Sequence, residues 1–200
     1  MSEDFIKMIG DAAVKHYPKY KILPSLAIAQ AIKESGWGGS KLARECHNYF
    51  GMKWREGCGC DYKEYLTKEQ RKDGSYYTIK AKFRKYGSAA EGIEGYYKFL
   101  SGYKRYHNLI GVTDAAKACD LIRQDGWATD LAYSGSLKSL ILKYGLTAFD
   151  RKALGDKDID AVAKEVIDGL WGTGDERKRK LKTAGYDYYA VQRRVNEMLR

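Results

Sequence analysis

At 200 residues the chain has room for one ordinary domain, or for one domain with a small appendage. Its hydrophobic content of 44% is that of a globular protein, and no stretch approaches the roughly 20 apolar residues of a membrane span, so stable membrane insertion is not expected. The formal charge of +10 lies mostly in residues 1–155, where 26 Lys and Arg face 17 Asp and Glu, and this favours a polyanionic partner such as nucleic acid, an anionic membrane or an anionic wall.

In chain order, the start (Met1-Ser2-Glu3-Asp4-Phe5) lacks the positive flank and apolar run of a secretory signal, which predicts synthesis in the cytoplasm and release by another route such as lysis. Residues 4–16 read as a first helix, with Phe5, Ile9, Ala12, Ala13 and His16 at core-facing spacing. Pro24 suits the first position of a second helix, because its missing N–H would be unpaired there anyway. That helix runs through small and apolar residues to Glu34 and Ser35, with Gly36 placed to cap it in the left-handed conformation. The composition predicts a buried central helix.

A looser region follows over 46–86. Cys46, His47, Cys58 and Cys60 are residue types that zinc takes, but Cys-x-Cys is not its usual spacing, so free thiols in a loop and no metal or cofactor are expected. Asp73-Gly74 is a two-residue hairpin signal. Tyr77, Ile79, Ala81 and Phe83 alternate with Thr78, Lys80, Lys82 and Arg84, which predicts a hairpin with arms near 64–71 and 76–84. Helical patterns resume over 88–101, 113–124 and 133–144. The polar stretch 151–157 reads as a linker between a domain at 1–150 and a module at 158–200. In that module Asp158, Asp175 and Asp187 are each placed to cap a short helix, with Gly185 to stop the second, around a small core of Trp171, Leu181 and Tyr186.

The segment with most chemical content is Ala31-Ile32-Lys33-Glu34-Ser35-Gly36-Trp37-Gly38. A carboxyl at the last turn of a helix faces the negative end of the macrodipole, and desolvation by apolar neighbours would add to that in favouring the protonated form. A protonated glutamic acid is what glycosidic cleavage needs, because the leaving oxygen must receive a proton. Trp37 offers an aromatic plane beside it. A solvent-exposed helix-end Glu fits the same residues equally well.

Residues 24–38, from Pro24 to Gly38, resemble the signature of the glucosaminidase family (glycoside hydrolase family 73). The resemblance continues through Asn48-Tyr49-Phe50-Gly51-Met52-Lys53, residues 79–86, Gly126-Trp127-Ala128-Thr129-Asp130 and residues 137–144, about three quarters of the chain. It implies a mainly α fold: a lysozyme-like α+β catalytic domain with a β-hairpin, followed by the three-helix module. It also implies Glu34 as the catalytic acid and, from the Thr67-Lys68-Glu69 context, Glu69 as a second acidic residue, with Glu64 as the fallback on the same arm. A cross-strand partner for Lys80 or Lys82 is the competing reading of Glu69. Trp37, Asn48, Tyr49, Phe50, Tyr86, Tyr96 and Trp127 are the candidates for substrate binding, with Tyr96 and Phe50 fitting the core as well. Two positions depart from the pattern: Gly95 stands where some members carry Asp, and Trp127 where the family usually has Tyr.

The tail resembles the short cell-wall-binding repeats that follow the catalytic domain of some phage lysozymes, through residues 169–177, Ala184-Gly185-Tyr186-Asp187-Tyr188 and residues 191–196. This implies wall contact through Trp171, Arg177 and Asp187. The expectation is an endo-β-N-acetylglucosaminidase, an endolysin or autolysin, acting as a monomer on peptidoglycan strands and muropeptide and not on nucleic acid. A lytic transglycosylase and a wall-binding protein with weak catalysis are the alternatives.

Overall fold

The computed structural model describes residues 2–70, 74–155, 157–183 and 186–200, with side chains for all of these except residues 68–70, 76, 182 and 183. The chain divides into two compact units, Met1–Ala153 and Leu154–Arg200.

In the first unit, α1 (Ser2–Tyr20) and α2 (Pro24–Ser35) lead into a short α3 (Lys41–Cys46) and an antiparallel hairpin, β1 (Asp61–Gln70) with β2 (Tyr76–Lys85). Then come α4 (Ala89–Gly102), a 3-10 turn (Lys104–Leu109), α5 (Ala115–Gln124), α6 (Tyr133–Lys143) and α7 (Thr147–Leu154). Helix α2 is the centre: every residue from Pro24 to Ile32 is buried. Its sequence allows this, because Ala27, Ala29 and Ala31 let neighbouring helices approach while Leu26, Ile28 and Ile32 fill the space between them. The Ser25 N–H at its start donates to the Asp150 carboxylate at 2.8 Å, a cap supplied from α7.

Helix α1 runs four residues past the expected end and contains Pro18 in its last turn. Tyr17 and Tyr20 explain the extension, since both are buried and Tyr20 stacks on Tyr97 of α4. Helices α3 and α7 had no sequence reading. Because α7 reaches Leu154, the first four residues of the stretch expected to be a linker are helical.

The hairpin keeps the expected arms but not the expected faces. Ala81 is buried and Ile79 and Phe83 are half-buried, whereas Tyr77 is exposed. Arg84, expected on the polar face, is buried: its guanidinium lies over the Phe99 ring and its Nε donates to the Lys53 carbonyl. Residues 52–54 flank β2 on its other side, with Arg84 N–H donating to Met52 and Trp54 N–H to Lys82. Asp73 of the hairpin signal lies outside the described residues.

The second unit packs α8 (Ile159–Ile167), α9 (Gly174–Thr183) and α10 (Tyr188–Met198) around Val162, Ala163, Val166, Leu181, Val191 and Val195. Asp158 caps α8 through Ala161 N–H, and Asp187 caps α10 through Tyr189 and Ala190 N–H. Helix α9 begins two residues earlier than a cap at Asp175 implies, at Gly174, so Asp175 lies in its first turn instead of capping it. Gly185, expected to end that helix, lies outside the described residues.

Candidate active site

The Ser35-Gly36-Trp37-Gly38 run does mechanical work at the end of α2. Gly36 takes a left-handed conformation (φ 56°) and returns its N–H to Ile32. The Ser35 hydroxyl donates to the Ala31 carbonyl and accepts from the Gly38 N–H. This stop leaves Glu34 in the last turn of the helix, on the same face as Gln30 one turn earlier.

Glu34 is exposed, so the burial among apolar neighbours suggested by the sequence is not found. Two hydrogen bonds address its carboxyl instead. The Tyr133 hydroxyl donates to Glu34 Oε1 at 2.5 Å, and the Trp127 indole N–H donates to the same oxygen at 3.2 Å. Behind Tyr133 the bonds continue into the core. The Gln30 amide donates to the Tyr133 hydroxyl at 3.0 Å, and Tyr96 donates to Gln30 Oε1 at 2.5 Å. Tyr96, Gln30 and Tyr133 are all buried, so each donor in this relay has one direction to point, and each points toward Glu34. Burial first, and then the Glu34 charge, hold the Tyr133 phenol far above its ordinary range; Tyr133 is therefore a permanent donor at neutral pH. Among the described residues Oε2 of Glu34 receives no donor.

Trp127 is fixed edge-on to Tyr96, Phe99 and Tyr106 at centroid distances of 5.8, 5.9 and 6.2 Å. It was expected among the substrate-binding residues, at a position where the family usually has Tyr. The structure also gives its indole N–H a polar contact, and a phenolic hydroxyl reaches Glu34 from Tyr133. Sequence reasoning missed Tyr133 and Gln30. Gln30 was findable, as a lone amide inside an apolar helix and one turn from Glu34; Tyr133, 99 residues from Glu34, carried no such signal.

The remaining candidates separate into four places. Phe50 stacks on Tyr96 at 4.0 Å, and both are buried, so they support the relay from behind. Asn48 is also buried: its amide donates to the Met52 and Arg84 carbonyls and its oxygen accepts from Met52 N–H, which clamps residues 48–52 to β2. Trp37 does not lie beside Glu34 in a shared contact; it packs edge-on against Phe5 and Tyr144, and with buried Tyr49 lines a cavity of about 830 Å³. Tyr86 lies against α4, where a Cβ at Gly95 would come within 2.4 Å of its hydroxyl. The phenol therefore occupies the space beside position 95, and glycine is what admits it. Burial, opposed by the nearby Arg84 guanidinium, pushes the Tyr86 phenol up to about 12.

On the hairpin, Glu69 pairs in register with Tyr77, one pair from the Gln70–Tyr76 end of the ladder; its side chain lies outside the described residues. Lys82 stands opposite Glu64, and Lys80 opposite Leu66 with its Nζ 3.6 Å from Glu64. The lysines thus belong to Glu64, and the register does not make Glu69 their cross-strand partner.

Cys46 contacts the Tyr65 hydroxyl, while Cys58 and Cys60 face each other. Among the described residues no group of three or more His, Cys, Asp or Glu gathers to hold a metal. In the second unit, Arg177 ties the glycine-rich turn to α10, donating to the Gly172 carbonyl and to Gln192. Trp171 donates to Glu165 and meets Tyr186 edge-on, and Asp187 is engaged as the α10 cap. All three are structural members of this small unit, with Asp187 alone fully at the surface.

Residues 10–146 match the family model described as mannosyl-glycoprotein endo-β-N-acetylglucosaminidase, and residues 160–199 match the CW_7 repeat. The chain is 31% identical over 193 residues to the exo-glucosaminidase LytG of Bacillus subtilis, covering 90% of this chain and 66% of that protein. It is 31% identical over 144 residues to the peptidoglycan hydrolase FlgJ of Salmonella typhimurium, covering 70% and 45%. The chain thus spans less than two thirds of the length of either relative. Its fold is similar to the catalytic domain of the autolysin Auto from Listeria monocytogenes, with a TM-score of 0.64 and 31% identity over 74% of this chain and 86% of that one.

Proposed function

The chain belongs to the glucosaminidase family and carries a CW_7 repeat behind its helical unit, and on that premise we propose that it hydrolyses peptidoglycan at the β-1,4 bond after N-acetylglucosamine, with Glu34 as general acid. The observation that carries this reading is the one-sided hydrogen bonding of the Glu34 carboxyl. Two donors address Oε1, so in the acid form Oε1 is the acceptor and the proton sits on Oε2. Oε2 is then the oxygen that protonates the departing sugar. The relay behind Tyr133 holds this orientation without reorganisation as the bond breaks.

Glu69 is the second carboxylate of the proposal. It acts as base on a water, as nucleophile, or as the group that positions the substrate's own acetamido oxygen; the separation of the two carboxyls selects among these. The basic body draws the chain to the anionic wall, and the tail unit, through Arg177 and its glycine-rich turn, adds a second attachment to muropeptide that raises the local substrate concentration. We place its action at the cell wall after release from the cell, as a monomeric endolysin or autolysin.

The test is the chemistry of the new ends. Mass spectrometry of Gram-positive wall digested by the full chain should find reducing N-acetylglucosamine. Anhydro-muramyl ends would instead make the protein a lytic transglycosylase, and wall binding without any cleavage would leave a binding protein.

A further inference from the structure

Between the Gly57–Asp61 loop, the end of β2 and one face of α4 lies an open cavity of about 680 Å³, separate from the Tyr133–Glu34 relay in the residues that form it. Cys58 and Cys60 both line it, both half-buried, with their Sγ atoms 3.0 Å apart. That approach is built by the backbone. Gly57 and Gly59 take left-handed conformations (φ 77° and 69°), which turn the two thiols to one side of the loop. The Cys58 N–H is held by the Arg55 carbonyl, and the Trp54 indole N–H donates to the Cys60 carbonyl at 2.8 Å. A disulfide needs its sulfurs about 2.05 Å apart, so closure asks for a movement of about 1 Å within a loop of glycines.

We propose that Cys58 and Cys60 form a redox-active dithiol that reacts with low-molecular-weight disulfides, Cys58 as the attacking sulfur and Cys60 as the resolving one. The two sulfurs are electrostatically unequal. Although burial works against it, the Cys60 thiol, the Arg55 and Cys60 backbone and the Arg84 guanidinium hold the Cys58 thiol below its ordinary range. Burial and the neighbouring Cys58 push Cys60 up to about 12. This is the asymmetry of a nucleophilic thiol beside a protonated one. The cavity lining carries Arg84, Lys85 and Lys98 beside the carboxylates Asp61, Glu91 and Glu94, with Lys98 paired to Glu94, so charges of both signs surround the thiols and a small peptide disulfide such as oxidised glutathione, which itself carries both signs, is the probe.

The steps balance without further reagents. Cys58 thiolate attacks one sulfur of the external disulfide, forms a mixed disulfide and expels the first thiolate. Cys60 then gives up its proton and attacks the Cys58 sulfur, expelling the second thiolate. Two protein thiols are oxidised, one disulfide is reduced to two thiols, and the two protons released by the cysteines end on them.

The experiment equilibrates the full chain with oxidised glutathione and follows intact mass and peptide mapping. Wild type should lose two hydrogens and yield a Cys58–Cys60 linked peptide. Cys60→Ser should accumulate a glutathione adduct on Cys58, and Cys58→Ser should react more than about tenfold more slowly than wild type. An unchanged wild-type mass, a stable wild-type adduct without ring closure, or an adduct on Cys60 ahead of Cys58 would each overturn the assignment.

Discussion

The two carboxylates assigned to catalysis stand on contrasting supports. Glu34 ends a helix whose body is wholly buried, and its oxygen is tied through Tyr133 and Gln30 to Tyr96 in the core. Glu69 stands one pair from the Gln70–Tyr76 end of a two-stranded ribbon, far from its base, and in that ribbon Leu66 is 72% exposed and Glu64 meets Lys80 at the surface. The ribbon is fastened at its base, where Asn48 and residues 52–54 grip β2, and a lone hairpin gains little stability from its own ladder. On the proposed function the difference is a division of labour: the acid stands on an element held by the core, while its partner stands on one held mainly at its base.

The largest effect should come from the preorganised side. Glu34→Gln keeps the shape and the acceptor for Tyr133 but cannot deliver a proton, so clearance of purified walls should fall by about 10²–10⁴-fold while wall pelleting is unchanged. Urea unfolding against pH probes the same helix from its other end. Burial raises the Asp150 carboxyl to about 6 from 3.8, with its Ser25 bonds opposing. A carboxyl raised in the fold contributes stability that is fully present below pH 3.8 and is lost as the pH climbs through about 6. That loss is about 3 kcal/mol between the two limits. Asp150→Asn retains an acceptor for Ser25 N–H, and should flatten that part of the stability profile and leave the variant the more stable form at pH 7.

Next in size is Tyr133→Phe. It removes one of the two donors on Oε1 and leaves the buried Gln30 amide without its acceptor, so about 1–2 kcal/mol of stability and about tenfold in clearance should go together. A variant that lost stability but cleared walls normally would reduce the relay to packing. Smallest is Leu66→Thr on the exposed ribbon, which should shift stability by no more than about 0.5 kcal/mol.

This contrast also marks what could be read from sequence. Pro24, the apolar run and Gly36 specify the start, burial and stop of α2 by local rules, and Asp158 and Asp187 do the same for two helices of the tail. The period-two stretch gave the hairpin. What escaped was every feature made by residues far apart in the chain: the Asp150 cap on Ser25, the Tyr133 bond to Glu34, and the burial of Arg84 over Phe99. The signature block misled in one respect. Trp37 was expected to offer its ring beside Glu34, but the left-handed turn at Gly36, continued by Trp37 itself at φ 61°, places it against Phe5 and Tyr144, on the cavity that it lines with Tyr49. Asn48 holds the base of the hairpin, and Phe50 stacks on Tyr96 of the relay.

The most direct test of Glu34 as proton donor varies how much the leaving group needs a proton. Hydrolysis by Glu34→Gln would be measured on wall glycan and on a dinitrophenyl β-glycoside of an N-acetylglucosamine oligomer, whose phenolate departs unaided. The account predicts a severe loss on glycan and a far smaller one on the aryl substrate. Equal losses on both would contradict it, since the carboxyl would then be doing something other than giving up its proton.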